Sequence, residues 1–327
     1  MNHMDFSISM MVARCNDALF ALITIIGIQA LMIILMVATK KTMPARPVLE
    51  VLFRPFIIKI IDKLNRAGRS DFALIIRGSI VFFLILLCVS VIGIAVETIM
   101  AYSGYGLYMD VVLMAMIISP LAIIYPVYSV SSEKPADGAF RAVTQTLNQN
   151  LIKSDKHALR RAGIKALSIS ILDWMVAPIL FYILFCVPVA YLYISLSLFV
   201  RISGRQNGTF LSMYGVVYRV MKSIASVFAV ITIGLAAIFS AGGKPFKIIN
   251  IAKFKGHVVE AAFAVTQNIT LGGAYQNRYG DAIKSPWIGL DGSTAKLSHK
   301  DVLRVIIHYS ITLFLFSVAL FAIYSFA

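Results

Sequence analysis

Six long apolar stretches set the pattern of the chain: residues 18–38, 78–96, 111–130, 166–200, 223–241 and 302–326, separated by polar or turn-forming segments. The hydrocarbon core of a bilayer is about 30 Å thick and a helix rises about 1.5 Å per residue, so about 20 apolar residues cross it. Each stretch predicts a helix that satisfies its own backbone in lipid. Two depart from the simple case. Pro120 and Pro126 lie inside 111–130 and require a kink or help from neighbours. The stretch 166–200 is too long for one straight span and carries Pro178 and Pro188; it is read as one crossing, with a re-entrant hairpin across 172–200 as the alternative. The expected fold class is all-α, a polytopic helical membrane protein with about six transmembrane helices.

The intervening segments add surface elements. Pro44, Pro47 and Pro55 break the chain ahead of 56–65, whose apolar pattern with interspersed charge predicts a short interfacial amphipathic helix. Residues 136–165 are similar in kind, with Asp137 and Ser154 as expected caps and Arg160, Arg161 and Lys165 near the membrane. The longest polar stretch, 242–300, has turns at Gly242-Gly243, Gly272-Gly273 and Asp291-Gly292 and a helix expected over about 258–269. It reads as a cytoplasmic loop subdomain within a single membrane domain, 1–327. Ser298, three residues before Asp301, is the expected N-cap of the last helix.

Composition agrees with the pattern: 59% hydrophobic and 14% charged residues exclude an ordinary soluble domain. The net charge of +15 acquires meaning through topology. All but Arg14, Arg201, Arg205, Arg219 and Lys222 of the 30 Lys and Arg fall in 39–77, 131–165 and 242–304, which alternation of six spans places on one side. The positive-inside rule makes that side cytoplasmic, and the expected location is a bacterial inner membrane. Basic residues spread over several loops argue against nucleic acid and for anionic membrane lipids as partners. The first apolar run lacks a small-residue cleavage pattern and is read as an uncleaved anchor. Cys15, Cys88 and Cys186 lie too far apart for a metal or disulfide framework and are read as apolar fillers.

Candidate chemistry is sparse. There is no Walker A sequence, His-Glu-x-x-His or Gly-x-Ser-x-Gly, and no metal site is expected. Asp173 lies just inside the fourth apolar stretch, where a carboxylate is costly and either lines a cavity or finds a partner such as Lys165. His257 and Glu260, at i and i+3 on a helix, can share a proton or a metal, or form a surface pair. Gln29 suits a helix-to-helix hydrogen bond. Gly272, Gly273 and Gly280 flank Tyr275, Gln276, Asn277, Arg278 and Tyr279, a turn suited to cradling phosphate, with Gly272, Gly273, Arg278 and Tyr279 as the expected contacts.

Certain runs follow one another in a recognisable order. Near the end come Leu271-Gly272-Gly273, Tyr279-Gly280, Lys284-Ser285-Pro286-Trp287-Ile288-Gly289 and Leu297-Ser298-His299-Lys300-Asp301. Earlier come Asp173-Trp174-Met175-Val176-Ala177-Pro178, then Phe181, Pro188, Tyr193 and Tyr214-Gly215. Over most of the chain this order resembles the CobD/CbiB family, the membrane-bound adenosylcobinamide-phosphate synthases of cobalamin biosynthesis. The resemblance implies ATP-dependent amide formation between a corrinoid carboxylate and aminopropanol phosphate. ATP and Mg²⁺ would be the cofactors, a corrinoid the substrate, Asp173 and Glu260 the catalytic carboxylates, and 272–279 a phosphate contact.

The departures are concentrated at polar positions. The Glu-Asn expected ahead of Asp173 falls on Ile169 and Ser170, and Asn-Thr-Leu-Asp falls on Ser197, Leu198, Phe199 and Val200. The Asp-Asp pair and its following Asn fall on Lys222, Ser223 and Ser226. Ser-Pro-Asn with a downstream Gly and Pro falls on Lys253, Phe254, Lys255, His257 and Val259. Mg²⁺ takes oxygen ligands, and these changes remove them and add a cation. The second expectation is therefore a non-catalytic, AmpE-like relative that acts as a membrane sensor or as a subunit with protein partners. A transporter is disfavoured by sparse buried charge and no internal repeat.

Overall fold

In a computed structural model, which describes residues 3–41, 46–65, 69–103, 106–151, 154–203, 209–277 and 280–326, the apolar stretches are mainly helical. The helices are α1 (His3–Thr39), α2 (Val48–Leu64), α3 (Asp71–Ser103), α4 (Gly106–Ile117), α5 (Ile124–Ser131) and α6 (Ala139–Leu147), then α7 (Lys156–Ile171), α8 (Ala177–Leu184), α9 (Val187–Ser203), α10 (Ser212–Phe239), α11 (Val258–Gln267) and α12 (His299–Phe326). A π-helical turn, Leu172–Val176, joins α7 to α8, and a 3-10 helix, Pro245–Lys253, precedes α11. Short strands complete the fold: β1 (Gln149–Asn150), β2 (Leu271–Gly272), β3 (Tyr275–Asn277), β4 (Ala282–Ile283) and β5 (Trp287–Ile288). They pair antiparallel in the orders β1-β3-β4 and β2-β5, so the polar loop is stitched to the segment after α6.

Among the described residues, five helices are long and apolar enough to cross a membrane: Met10–Thr39, Asp71–Val96, Lys156–Leu184, Ser212–Phe239 and His299–Ser325. The protein is an all-α helical membrane protein with five such helices where six were expected. The continuous α7–π–α8 helix is the central one, with 83% of its most apolar stretch buried against 17% to 33% in the other four. Those four turn apolar side chains such as Ile34, Leu87, Ile231 and Phe314 outward, as lipid requires.

The sixth span is missing because 111–130 does not continue as a helix. It breaks between α4 and α5 at residues 118–123, around Pro120. Non-helical backbone at membrane depth survives only where protein groups satisfy it, and side chains and backbone from other helices do so here. Gln29 Oε1 accepts from the Leu121 N–H at 2.7 Å, while its Nε2 donates to Ser119 Oγ at 3.0 Å. The Pro120 carbonyl accepts from the hydroxyls of Ser170 and Tyr309. Ser119 N–H donates to the carbonyl of Trp174 at 3.0 Å. That carbonyl needs a donor because Pro178, four residues on, has no N–H to offer it. Two proline-induced defects thus complete each other.

The stretch 166–200 is also not one crossing. α8 ends at Leu184, and α9 packs back against it from Val187, which is the hairpin alternative. Pro188 seats in the first turn of α9 and fits against Gly93 of α3, where a Cβ would lie 2.2 Å from the proline ring. The hairpin returns Arg201 to the end of the bundle that holds α2 and α6, where Asn148 donates to the Ile202 carbonyl at 3.0 Å. In the six-span scheme Arg201 lay on the opposite side.

Smaller expectations divide. Ser298 caps α12 as expected, with Asp301 N–H donating to Ser298 Oγ and Asp301 accepting from Ser298 N–H. α7 is capped by Asp155, which accepts from Ala158 N–H, and not by Ser154. Gly138 rather than Asp137 precedes α6. α2 begins at Val48 and runs through Pro55, because burial of Leu49, Glu50, Ile57 and Ile61 holds the helix together across one missing hydrogen bond.

Replacing Gln29 by Leu is expected to leave the Leu121 N–H unsatisfied and to cost about 1–3 kcal/mol. Thermal unfolding in detergent should show that loss, whereas Thr98→Val, at an exposed site, should leave the midpoint unchanged.

Candidate functional site

The π-turn aims two consecutive side chains into one buried network. Asp173 is 2% exposed. Its Oδ1 accepts from the Tyr193 hydroxyl at 2.6 Å and its Oδ2 from Ser197 Oγ at 2.7 Å, with the Tyr218 hydroxyl 3.3 Å from both. Trp174 Nε1 donates to Glu50 Oε2 at 3.2 Å. Arg201 joins the two carboxylates: Nη2 donates to Glu50 Oε2 at 2.6 Å, Nε lies 3.9 Å from Asp173 Oδ2, and the guanidinium sits 5.6 Å from the Trp174 ring centroid. Tyr193 and Ser197 come from α9 and Tyr218 from α10, so the network ties α2, the π-turn, α9 and α10 together.

Glu50 is the second centre of this network, at 1% exposure. Arg46, just ahead of α2, and Arg54, one turn after Glu50 on it, approach Glu50 Oε1 at 4.0 and 3.5 Å. They also donate to the side chains of Gln145 and Asn148, which locks α2 onto α6. Three guanidiniums against two carboxylates leave one positive charge in the cluster. Pairing of this kind lets buried charge persist. The sequence reading missed Glu50, Arg46, Arg54 and Arg201; the i−4 and i+4 arginines around a glutamate were the available signal.

Asp173 also forms part of a wall. With Ser168, Ile169, Leu172, Lys222, His257, Val259 and Glu260 it lines a cavity of about 20 Å³, room for about one water molecule. The structure thus brings together Asp173 and Glu260, the two expected carboxylates. His257 Nδ1 donates to Glu260 Oε2 at 2.6 Å, so the i, i+3 pair forms, and it is largely buried instead of lying on the surface. Burial alone would raise the Glu260 carboxyl. The His257 hydrogen bond and the charges of Lys165 and Lys222 outweigh it and hold the group down at about 2. Lys165 therefore serves Glu260, and Asp173 takes Arg201.

The glycine turn lies elsewhere. Gly272 and Gly273 line a second cleft with Arg161 and Lys165. Both adopt positive φ, +84° and +88°, and a Cβ at Gly272 would stand 2.2 Å from the Pro286 carbonyl oxygen while one at Gly273 would stand 2.8 Å from the Trp287 ring. The two glycines are required by the close approach of β5. Arg278 and Tyr279 lie outside the described residues.

The ATP and Mg²⁺ that the resemblance implies can be tested against these donors. Mg²⁺ needs several oxygens in octahedral array. The cavity instead offers an aspartate already engaged by hydroxyls and a guanidinium, a glutamate paired with His257, and the ammonium of Lys222. The residues do not fit that ion. Among the described residues no group of three or more His, Cys, Asp or Glu side chains is placed to hold a metal.

Arg201→Met is expected to take from two buried carboxylates the cation they share and to cost about 3–5 kcal/mol, with Glu50→Gln added in the same chain restoring part of it. Chemical unfolding in detergent, followed by tryptophan fluorescence, measures both. Glu260 is a depressed carboxyl, so its stabilisation is fully present above the ordinary value of 4.5 and is lost as pH falls toward about 2. Glu260→Gln should remove that acid dependence, on the order of 3 kcal/mol, from the unfolding free energy.

No protein-family model matches the chain, and neither does any curated protein or solved structure.

Proposed function

We propose that the protein has a CobD/CbiB-like scaffold whose synthase chemistry has been replaced, and that it acts as a non-catalytic membrane sensor or as a subunit of a membrane complex. The observation that carries this reading is the identity of the cavity wall. Five of its eight lining residues, Ile169, Asp173, Lys222, His257 and Val259, are positions onto which the resemblance aligns a family motif residue, and a sixth, Glu260, is its other expected carboxylate. Positions matched one by one along the sequence converge in space on one cavity. Four of the five carry the wrong side chain: an isoleucine for a carboxylate, a lysine for another, and histidine and valine for glycine and proline.

A hole of this size lined by lysine, histidine and two neutralised carboxylates does not gather the oxygen ligands that an acyl-phosphate intermediate and its metal require. It stabilises a helix junction. α7, the π-turn, α10 and α11 meet there, and a surface formed by such a junction can respond to a partner protein. In this reading the protein sits in a bacterial inner membrane with its basic segments in the cytoplasm. The hairpin supports that orientation, because it places Arg201 beside α2 and Lys222 beside His257, among the other basic segments.

One observation favours the synthase reading, with a corrinoid substrate and ATP: Asp173 and Glu260, far apart in sequence, share one wall. Expression in a bacterial strain lacking its aminopropanol-attaching synthase, fed adenosylcobyric acid, separates the two. With membrane insertion verified by blot, no growth is expected. Growth that Asp173→Asn and Glu260→Gln abolish, without loss of inserted protein, would overturn the proposal and establish synthase activity.

A further inference from the structure

The cleft beside the glycine turn is distinct from the carboxylate cavity. It measures about 40 Å³, about twice the carboxylate cavity and room for on the order of two waters. Its wall brings Arg161 and Lys165 from α7 to face 272–275 and Ser285, with Ser154 at its edge, and no Asp or Glu lies among its described lining residues. Its charged lining residues are thus two cations one helical turn apart, with Asp155 acting on Arg161 and Glu260 on Lys165 from outside the lining.

Both cations are held in place. Arg161 Nη1 donates to the Ala295 carbonyl at 2.7 Å and its guanidinium lies 5.2 Å from the Trp287 ring centroid, while Nε is buried and makes no hydrogen bond among the described residues. Lys165 Nζ lies 5.3 Å from the Tyr275 ring centroid. A guanidinium stacked on an aromatic ring keeps its planar fork oriented, and a fork beside an ammonium is a recurrent arrangement for phosphate oxygens. Ser154 and Ser285 add hydroxyls that donate to such oxygens. The glycines matter indirectly, since they let β2 press against Pro286 and Trp287 and so fix the ring on which Arg161 lies.

We infer that this cleft binds a phosphate group, gripped by Arg161 and Lys165. The group has two sources, free phosphate or the headgroup of an anionic lipid at the membrane edge, and one experiment distinguishes them. Purified full-length protein in an uncharged maltoside detergent is titrated calorimetrically with inorganic phosphate and, separately, with a short-chain soluble phosphatidylglycerol. Saturable binding of at least one probe is expected; phosphate alone identifies the free anion, and phosphatidylglycerol alone identifies a headgroup. Arg161→Gln with Lys165→Gln should weaken binding at least about tenfold, while Arg219→Gln, on the exposed face of α10, should leave it unchanged. Because Arg161 also holds the Ala295 carbonyl, Lys165→Gln alone serves where the double variant does not fold, and it should weaken binding several-fold. Absence of saturable binding by both probes, or unchanged affinity in either variant, would overturn the inference.

Discussion

Arg201 is the residue on which the arrangement of the helices most depends. It reaches Glu50 on α2 and Asp173 in the π-turn, and those two carboxylates in turn collect Arg46, Arg54, Trp174, Tyr193, Ser197 and Tyr218. A carboxylate as buried as Glu50 or Asp173 cannot be placed in an apolar interior alone, because its desolvation costs several kcal/mol. The opposite charge must be brought to it. That requirement fixes the hairpin, since only a chain that turns back after α8 carries Arg201 to both acids at once.

Backbone polarity imposes a second constraint of the same kind. Pro120 breaks one helix and Pro178 removes a donor from another, and in lipid neither defect is tolerable by itself. The Ser119 N–H and the Trp174 carbonyl resolve both at once, with Gln29, Ser170 and Tyr309 attending to what remains. The π-turn that carries the Trp174 carbonyl also points Asp173 toward α9 and α10. Helix break, π-turn and buried carboxylate are therefore one structural solution, and altering any of them disturbs the others.

What could be read from the chain alone follows from this division between local and distant causes. The long apolar helices and the Ser298 cap of α12 are local, since their determinants lie within a few turns, and both were legible. The break at 118–123 was visible only as a proline in an apolar run. Whether it would kink or end the helix depended on Gln29 and Tyr309, far away in sequence. Glu50 with arginines at i−4 and i+4 looks like an exposed ion-pair helix; it is buried because Arg201 and Trp174 arrive from α9 and the π-turn. Of the site residues, Asp173 was legible from its depth in an apolar stretch and Glu260 from its spacing to His257. That the two meet on one wall was not, because α11 reaches α7 across a polar segment without a periodic signal.

The ionisation of Glu260 bears on what the shared wall can do. A general acid needs to hold its proton near working pH, and a general base needs a proton affinity high enough to take one; both are best served by a value near neutrality. Burial pushes Glu260 in that direction, and an apolar neighbour in place of Lys222 would leave the push less opposed. Instead Lys165, Lys222 and the His257 hydrogen bond drive it down to about 2, so it stays ionised through the physiological range and binds protons too weakly to act as a base. The lysine that stands where the resemblance expects an acid thus acts twice. It places a cation on the cavity wall, and with Lys165 and His257 it holds Glu260 as the fixed negative partner of a cationic junction.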